Sequence, residues 1–368
     1  MLFVKRFYPG TKSGGPTTSS LTLACRYQKI RGIKLKIVTT DRDVGDSEPY
    51  EICSAVKNVE LDFASVSYLD TSKLSGLWEL VNLYRKNLIV LNSVFDPLFG
   101  VLLPLLTTSD NDIYLFARGE LQMNSLSIKP FKKRVFLKLL KNRILKRCIL
   151  VFSSVSEKEE AERSLRREIQ RFEIVPNIPQ RLDLKEDSNF EARNALRVLY
   201  LGRIEEDKNL LFLLEALKDV QRPLSLDIYG AIRDDSYWGK CLDVVKSLPK
   251  HINVEYKGEL ERAGISRIGS RYSYLINPSK SENYGHSIAE ALSVGLKAIV
   301  SQGTPWEEIG VRGIGHFLGF DKQEWVQCLN GLESYDLEEK RLDRIEQFEN
   351  LSIIRNSIAA NDKFLNKI

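Results

Sequence analysis

Hydrophobic positions in this chain fall into short apolar runs, each followed by a stretch of helical length. Leu2 to Phe7 is the first run. A Gly-rich loop, GTKSGG (Gly10 to Gly15), a helical pattern ending at Gly32 and a second β-like run, Lys34 to Thr40, follow it. That order is a βαβ unit. Further β-like runs stand at Asn87 to Leu91, Asp112 to Phe116 and Cys148 to Phe152. The alternation restarts with Arg197 to Leu201 and continues through Leu224 to Tyr229, Ile252 to Tyr256, Tyr272 to Ile276 and Lys297 to Val300. The expected fold class is therefore α/β, with two doubly wound, Rossmann-like domains. Residues 176 to 190, PNIPQRLDLKEDSNF, carry two prolines, charges and no periodicity, and predict the join. Domains are expected at 1–180 and 181–345, with a last helical stretch, about 346–368, packing back on the first. Open parallel sheets bind ligands beyond the carboxyl ends of their strands, so the two domains are expected to face a central cleft lined by loops from both.

Composition adds bounds. A chain of 368 residues, 43% hydrophobic and 28% charged, has the makeup of a soluble globular protein with about two domains. Its five cysteines, Cys25, Cys53, Cys148, Cys241 and Cys328, form no C-x-x-C pair, so neither a disulfide framework nor a zinc site is expected, and a reducing cytoplasm fits. The opening MLFVKRFYPG is too short an apolar stretch for a secretory signal. Leu88 to Leu106 is interrupted by Asn92, Asp96, Pro97 and Pro104, and reads as a buried strand and a following helix. Net charge is uneven. Residues 1 to 180 hold 28 Lys+Arg against 19 Asp+Glu, and residues 181 to 368 hold 26 against 30. A basic first domain suits an anionic partner, but no basic-aromatic array of a nucleic-acid module accompanies it.

The candidate chemistry lies in loops. Gly14 and Gly15 stand where the first strand gives way to its helix, where glycine lets backbone approach a ligand and a helix start attracts phosphate; a tight turn needs the same residues. The G-x-G-x-x-G fingerprint of nicotinamide or flavin dehydrogenases is absent. In YLGRIEEDKNL, Arg203 and Lys208 bracket the turn leaving a predicted strand. Two cations there can hold a diphosphate, or merely offset Glu205, Glu206 and Asp207. In SENYGHSIAEAL, residues 281 to 292, Gly285 should end the loop and start a helix near His286. Glu282 is then left on the loop at the helix mouth, with Glu290 one turn in and i+4 from His286. Ala289 and Ala291 leave room for a ligand group, while Ile288, Leu292 and Val294 can pack inward. The two carboxylates can grip two ends of a nucleotide sugar, or serve as an exposed residue and a helix-dipole partner.

The stretch NPSKSENYGHSIAEALSVGLKAIVSQGTPW, Asn277 to Trp306, resembles the E-x7-E region of group 1, family 4 type glycosyltransferases. The resemblance takes in the Gly-Gly loop and Gly202, Arg203 and Lys208 of a G-R-x4-K pattern, with VPNIP at 175 to 179, DIYGAIRDDSYW at 227 to 238 and YKGEL at 256 to 260. ARGEL at 117 to 121 is similar to a segment of the bacterial subgroup that decorates surface polysaccharides. The resemblance implies a GT-B fold and retaining transfer of a hexosyl or N-acetylhexosaminyl group, without a metal, from a UDP- or GDP-linked sugar to a glycan. That glycan is expected to be lipid-linked, in O-antigen, capsule or exopolysaccharide synthesis. It implies that Arg203 and Lys208 hold the donor diphosphate, Glu290 the ribose and Glu282 the sugar. Glu282, Arg203 and Lys208 are the catalytic candidates, and Gly14, Gly15, Asn283, Tyr284, Gly285, His286 and Glu290 complete the donor-binding set. Many relatives carry a histidine in the first domain, whereas His251, His286 and His316 all lie in the second half here. Arg118 and Glu120 are the acceptor-side candidates instead. No cofactor is expected beyond the donor itself.

Two other readings share the fold: a glycan phosphorylase and a non-catalytic nucleotide-sugar binder. Retention of both Glu282 and Glu290 disfavours the second. The Asp41-Arg42-Asp43 triplet resembles a metal-binding D-x-D but reads as a solvated turn. Residues 129 to 148, KPFKKRVFLKLLKNRILKRC, hold nine Lys or Arg and no acid. Val135, Phe136, Leu139 and Leu140 are expected on one helical face, with Arg134, Lys138 and Lys141 opposite. Lys132, Lys133, Lys138 and Lys141 are the candidates for contact with an anionic membrane surface, on the inner face of the cytoplasmic membrane and without insertion.

Overall fold

The computed structural model describes residues 1–10, 15–42, 46–55, 58–70, 88–96, 112–127, 130–179, 182, 196–260, 264–332 and 341–368. They form two compact units, residues 1–178 with 357–368, and residues 179–356.

The first unit is built on an eight-stranded sheet. Its strands are β1 (Leu2–Phe3), β2 (Leu35–Thr40), β3 (Asn58–Glu60), β4 (Ala64–Leu69), β5 (Ile89–Leu91), β6 (Ile113–Phe116), β7 (Cys148–Phe152) and β8 (Phe172–Ile174). They lie in the order β3-β4-β2-β1-β5-β6-β7-β8, all parallel except the β3–β4 pair. The central strands are apolar throughout because both faces are covered. Leu23 and Ala24 of helix α1 (Gly15–Arg31) cover one face. Ile144 of α2 (Pro130–Arg147) and Ala161 and Leu165 of α3 (Val155–Leu165) cover the other.

The second unit has six strands: β9 (Leu196–Leu201), β10 (Leu224–Tyr229), β11 (Ile252–Tyr256), β12 (Tyr274–Asn277), β13 (Lys297–Ser301) and β14 (Gly315–Leu318). All pair in parallel, in the order β11-β10-β9-β12-β13-β14. Its helices include α4 (Leu210–Leu217), α5 (Asp235–Lys246), α6 (His286–Ser293), α7 (Lys322–Gly331) and α8 (Arg341–Glu349). Leu210, Leu213, Leu214 and Leu217 of α4 bury against the sheet together with Trp325 and Leu329 of α7. The last helix, α9 (Ser352–Lys367), gives its end to the first unit. There the Phe364 ring meets Tyr114 and Phe116 edge-on at 5.3 and 5.9 Å, and Arg26 pairs with Asp362.

Every strand expected from the apolar runs is present, but β3, β4, β8 and β14 were not legible there. Strand β4, ASVSYL, alternates serine with apolar residues, and GHFL of β14 is short and opens on glycine. Their strand character comes from pairing with β2 and β13. In the Leu88 to Leu106 stretch, β5 supplies the expected strand; residues 97–106 lie outside those described.

Candidate functional site

The strand order of the second unit runs one way from β9 through β10 to β11 and the other way from β12 to β14. The chain therefore reverses between β9 and β12, and the loops leaving their carboxyl ends diverge around a crevice, the place where open α/β sheets bind ligands. Arg203 and Lys208 follow β9, and Glu282 follows β12.

The β9 loop leaves the sheet beside a close backbone crossing. Gly230, at φ +148°, passes so near Gly202 that a Cβ there would sit 1.9 Å from the Gly202 carbonyl oxygen. Ile204 then bonds across to Ala231, and a single 3-10 turn, Glu206–Lys208, leads to Asn209. Asn209 is left-handed, at φ 58°, and reverses the chain into α4. Its side chain donates to the Pro278 carbonyl at 3.2 Å, while the Lys280 amide donates to the Asp207 carbonyl at 2.9 Å. Those two bonds stitch the β9 loop to the β12 loop.

The same stitching sets the ion pair. Lys208 Nζ lies 2.5 Å from Glu282 Oε1, with side chains 15% and 16% exposed. Ser279 Oγ donates to the same carboxylate oxygen at 3.2 Å, and the Glu282 amide donates to the Gly303 carbonyl at 2.8 Å. Glycine is required at 303 because a Cβ there would lie 2.4 Å from the carbonyls of Ser279 and Lys280. Arg203 is different: its side chain is 57% exposed and pairs with Glu205 at 2.8 Å, the offsetting role that the charges beside it suggested. Lys280 likewise pairs with Glu206.

Beyond Glu282 the chain turns at Gly285, at φ +78°, and enters α6 at His286. A Cβ at 285 would meet Ile288 at 2.8 Å. Tyr284 is buried, its ring against Trp306 (5.5 Å) and His286 (5.1 Å). Its carbonyl accepts from the Trp306 indole. Burial, with the Glu290 charge as a smaller second cause, pushes the Tyr284 phenol well above its ordinary range. Glu290 is half-buried on α6, and Asn283 is exposed. Ile288, Leu292 and Val294 pack inward as the pattern suggests, but so do Ala289 and Ala291, which are buried in the core rather than opening a space for a ligand.

In the first unit, Gly14 lies outside the described residues, and Gly15 opens α1. Arg118 follows β6 in a left-handed conformation, at φ 50°. Glu120 is engaged within the first unit. Its carboxylate accepts from Ser93 Oγ (2.8 Å), the Val94 amide (2.6 Å) and the Phe95 amide (3.1 Å), which makes it the anchor of the β5 loop. Burial outweighs those bonds and holds its carboxyl above the usual range. The Lys133 ammonium donates to the Ser125 carbonyl and lies 5.1 Å from the Phe95 ring centroid. On α2, Phe136, Leu137, Ile144 and Leu145 face the core, whereas Val135 is exposed; Lys132 and Lys138 are exposed. The side chains of Leu139, Leu140 and Lys141 lie outside the described residues. No group of three or more His, Cys, Asp or Glu is arranged to hold a metal among the described residues. Ser279, Asn209 and Gly303 were missed in the sequence; Ser279 and Asn209 stand near Glu282 and Lys208 in chain order, whereas Gly303, 21 residues beyond Glu282, meets it only through the fold.

Residues 183–346, within the second unit, match the family model described as glycosyl transferases group 1. Solved structures of the whole length are similar. HepE of Anabaena, in complex with UDP and glucose, superposes with a TM-score of 0.68 at 13% identity over 100% of this chain and 98% of that one. WaaG, a glycosyltransferase involved in lipopolysaccharide biosynthesis, gives 0.62 at 14% over 100% and 98%. The sucrose-phosphate synthase of Thermosynechococcus elongatus gives 0.60 at 16% over 100% and 93%. No curated protein matches by sequence. The fold is thus the GT-B type.

Proposed function

We propose that the chain transfers a sugar, with retention, from a nucleotide-sugar donor to a hydroxyl of a glycan acceptor. The observation that carries this reading is the half-buried Lys208–Glu282 pair at the crevice between β9 and β12. Transfer leaves negative charge on the departing diphosphate and positive charge at the anomeric carbon. A preorganised cation beside the diphosphate and a carboxylate beside the sugar answer those two demands. In the structure the two charges satisfy each other. A diphosphate drawing Lys208 away frees Glu282 to accept from sugar hydroxyls. Arg203, exposed and paired only with a neighbouring loop acid, swings to the phosphates with a two-pronged contact. Glu290, on α6, takes the ribose, with Asn283, Tyr284, Gly285 and His286 shaping the loop before it. The UDP bound by HepE supports a uridine nucleotide.

Calorimetric titration with UDP tests the assignment. Arg203→Ala and Lys208→Ala are each expected to weaken binding by about tenfold, ~1.4 kcal/mol. Unaltered affinity in both refutes the diphosphate site. Because these cations already supply the charge a divalent metal would bring, transfer is expected to survive excess EDTA; activity lost to chelator and restored by Mg²⁺ or Mn²⁺ refutes that part.

The acceptor we infer is lipid-linked, in assembly of a bacterial surface polysaccharide, with the first unit resting on an anionic leaflet. Support comes from α2, where Lys132 and Lys138 are exposed beside Phe131, itself 79% exposed. No helix among the described residues is long and apolar enough to cross a membrane. Each cation near an anionic surface adds about 1 kcal/mol. Cosedimentation is expected with anionic vesicles and not neutral ones, and is expected to fall in Lys132→Gln/Lys138→Gln and in high salt. Equal binding to both vesicle types leaves α2 as scaffold.

A further inference from the structure

Among the described residues, no carboxylate directly neutralises the charge of Arg118 in the first unit. Its Nε donates to Asn92 Oδ1 at 2.7 Å and its Nη1 to Asn177 Oδ1 at 2.5 Å, both neutral amides. The guanidinium lies 4.5 Å from the Phe116 ring centroid. Among the described residues no carboxylate stands within ion-pair distance of it, and its Nη2 has no partner. The nearest acid that its proton equilibrium registers is Glu157. That carboxylate is taken up by the Gly119 amide, the Ser153 amide and the Ser153 hydroxyl. Burial pulls the guanidinium down to about 10, the Glu157 charge opposing it.

A long cation could escape to water, but this one is held by several independent constraints. Arg118 and Gly119 both have positive φ, 50° and 74°, and a non-glycine residue keeps that conformation only where its surroundings over-determine it. Here Glu157, buried as the first-turn acid of α3, fixes the Gly119 amide. Asn92 is braced by its own bond to Ser20 Oγ at 2.8 Å, and Asn177 by a bond from Ser19 Oγ at 3.0 Å. Both serines belong to α1. The outcome is a guanidinium held beyond the carboxyl end of β6, and Arg118 lines a small recess with Ser19, Thr22, Phe116, Asn177 and Asn361. The recess has room for about one water-sized group, enough for a single anionic oxygen.

We propose that Arg118 is an anion-binding residue of the first unit, receiving an oxygen of a phosphate or carboxylate group borne by the acceptor. A fork donor without an acid partner suits an oxyanion better than a neutral hydroxyl, because the incoming charge replaces the missing counter-ion. Only the identity of the anion's bearer rests on the transferase reading; the anion site itself stands apart from it.

The probe is inorganic phosphate, with acetate as the carboxylate arm and sodium chloride at matched ionic strength as the control. In the intact chain, the Arg118 Nε–H resonance, assigned by its loss in Arg118→Lys, is expected to shift saturably with phosphate or acetate and not with chloride. In an R203A/K208A background, which removes the two candidate diphosphate cations of the second unit, phosphate is expected to raise the unfolding temperature, and a further R118Q to abolish that rise. A response to phosphate alone assigns a phosphate-bearing acceptor, and a response to acetate alone a carboxylate-bearing one. An Arg118 resonance indifferent to both anions, or one that chloride moves equally, overturns the proposal whether or not R118Q folds. Neither readout involves turnover, so the transferase reading can fail while the anion site stands, and the reverse.

Discussion

Glu282→Gln is expected to lose about 100-fold or more in kcat/KM for sugar transfer, ~3 kcal/mol, while its affinity for free UDP holds or rises. The two effects separate because Glu282 stands in two relations. Towards the donor sugar of the proposed reaction it would be an acceptor whose charge an amide lacks. Towards Lys208 it is a partner at 2.5 Å, and so a competitor of any diphosphate. Glutamine keeps the size and can still accept from Ser279, so the loop bonded through the Glu282 amide to Gly303 is undisturbed. Lys208 then reaches a diphosphate without first breaking an ion pair. Steady-state transfer and UDP calorimetry on the same preparation read both arms. Near-native transfer removes Glu282 from the chemistry. Lost UDP binding with lost transfer instead gives the carboxylate a role in positioning Lys208.

Gly230→Ala is expected to destabilise the second unit by about 4 kcal/mol, with a fall in Tm of about 10 °C, and to weaken UDP binding. The cause is backbone against backbone. A Cβ at 230 lies 1.9 Å from the Gly202 oxygen and 2.7 Å from its carbon, and φ +148° is itself unfavourable for alanine. No rotamer relieves that, so β9 and β10 must part at their carboxyl ends, where the Gly202 amide bonds to Tyr229 and the Gly230 amide to Gly258. Arg203, next in the chain, moves with Gly202. Gly239→Ala is the control: it sits in α5 with nothing within 4 Å of its added Cβ, and is expected to be neutral or stabilising by up to about 1 kcal/mol. Unfolding of both variants decides the matter; equal Tm values remove the crossing as a determinant of stability.

The alternation of apolar runs and helical stretches by itself determined the α/β class and the pair of doubly wound sheets, because buried parallel strands must be apolar along their whole length and their crossovers must be helices. It also placed Arg203, Lys208 and Glu282 on loops leaving strands, since glycines and charges interrupt periodicity there. What it left open was which charges meet. Lys208 and Glu282 are 74 residues apart and become partners only because β12 lies beside β9, with Asn209 and Lys280 tying their loops together. The three acids beside Arg203 and Lys208 in sequence are dealt out differently: Glu205 pairs with Arg203 and Glu206 with Lys280, while Asp207 contributes its carbonyl. Local pattern also misjudged faces. Val135 on α2 is exposed and Ala289 and Ala291 on α6 are buried, because the neighbouring element, rather than the hydrophobicity of one residue, decides which stripe of a helix is covered. Glu120 and Arg118, two residues apart, read alike as acceptor-side candidates. Only tertiary structure separates them: the β5 amides and Ser93 converge on the carboxylate, while the guanidinium meets neutral amides and keeps a donor open.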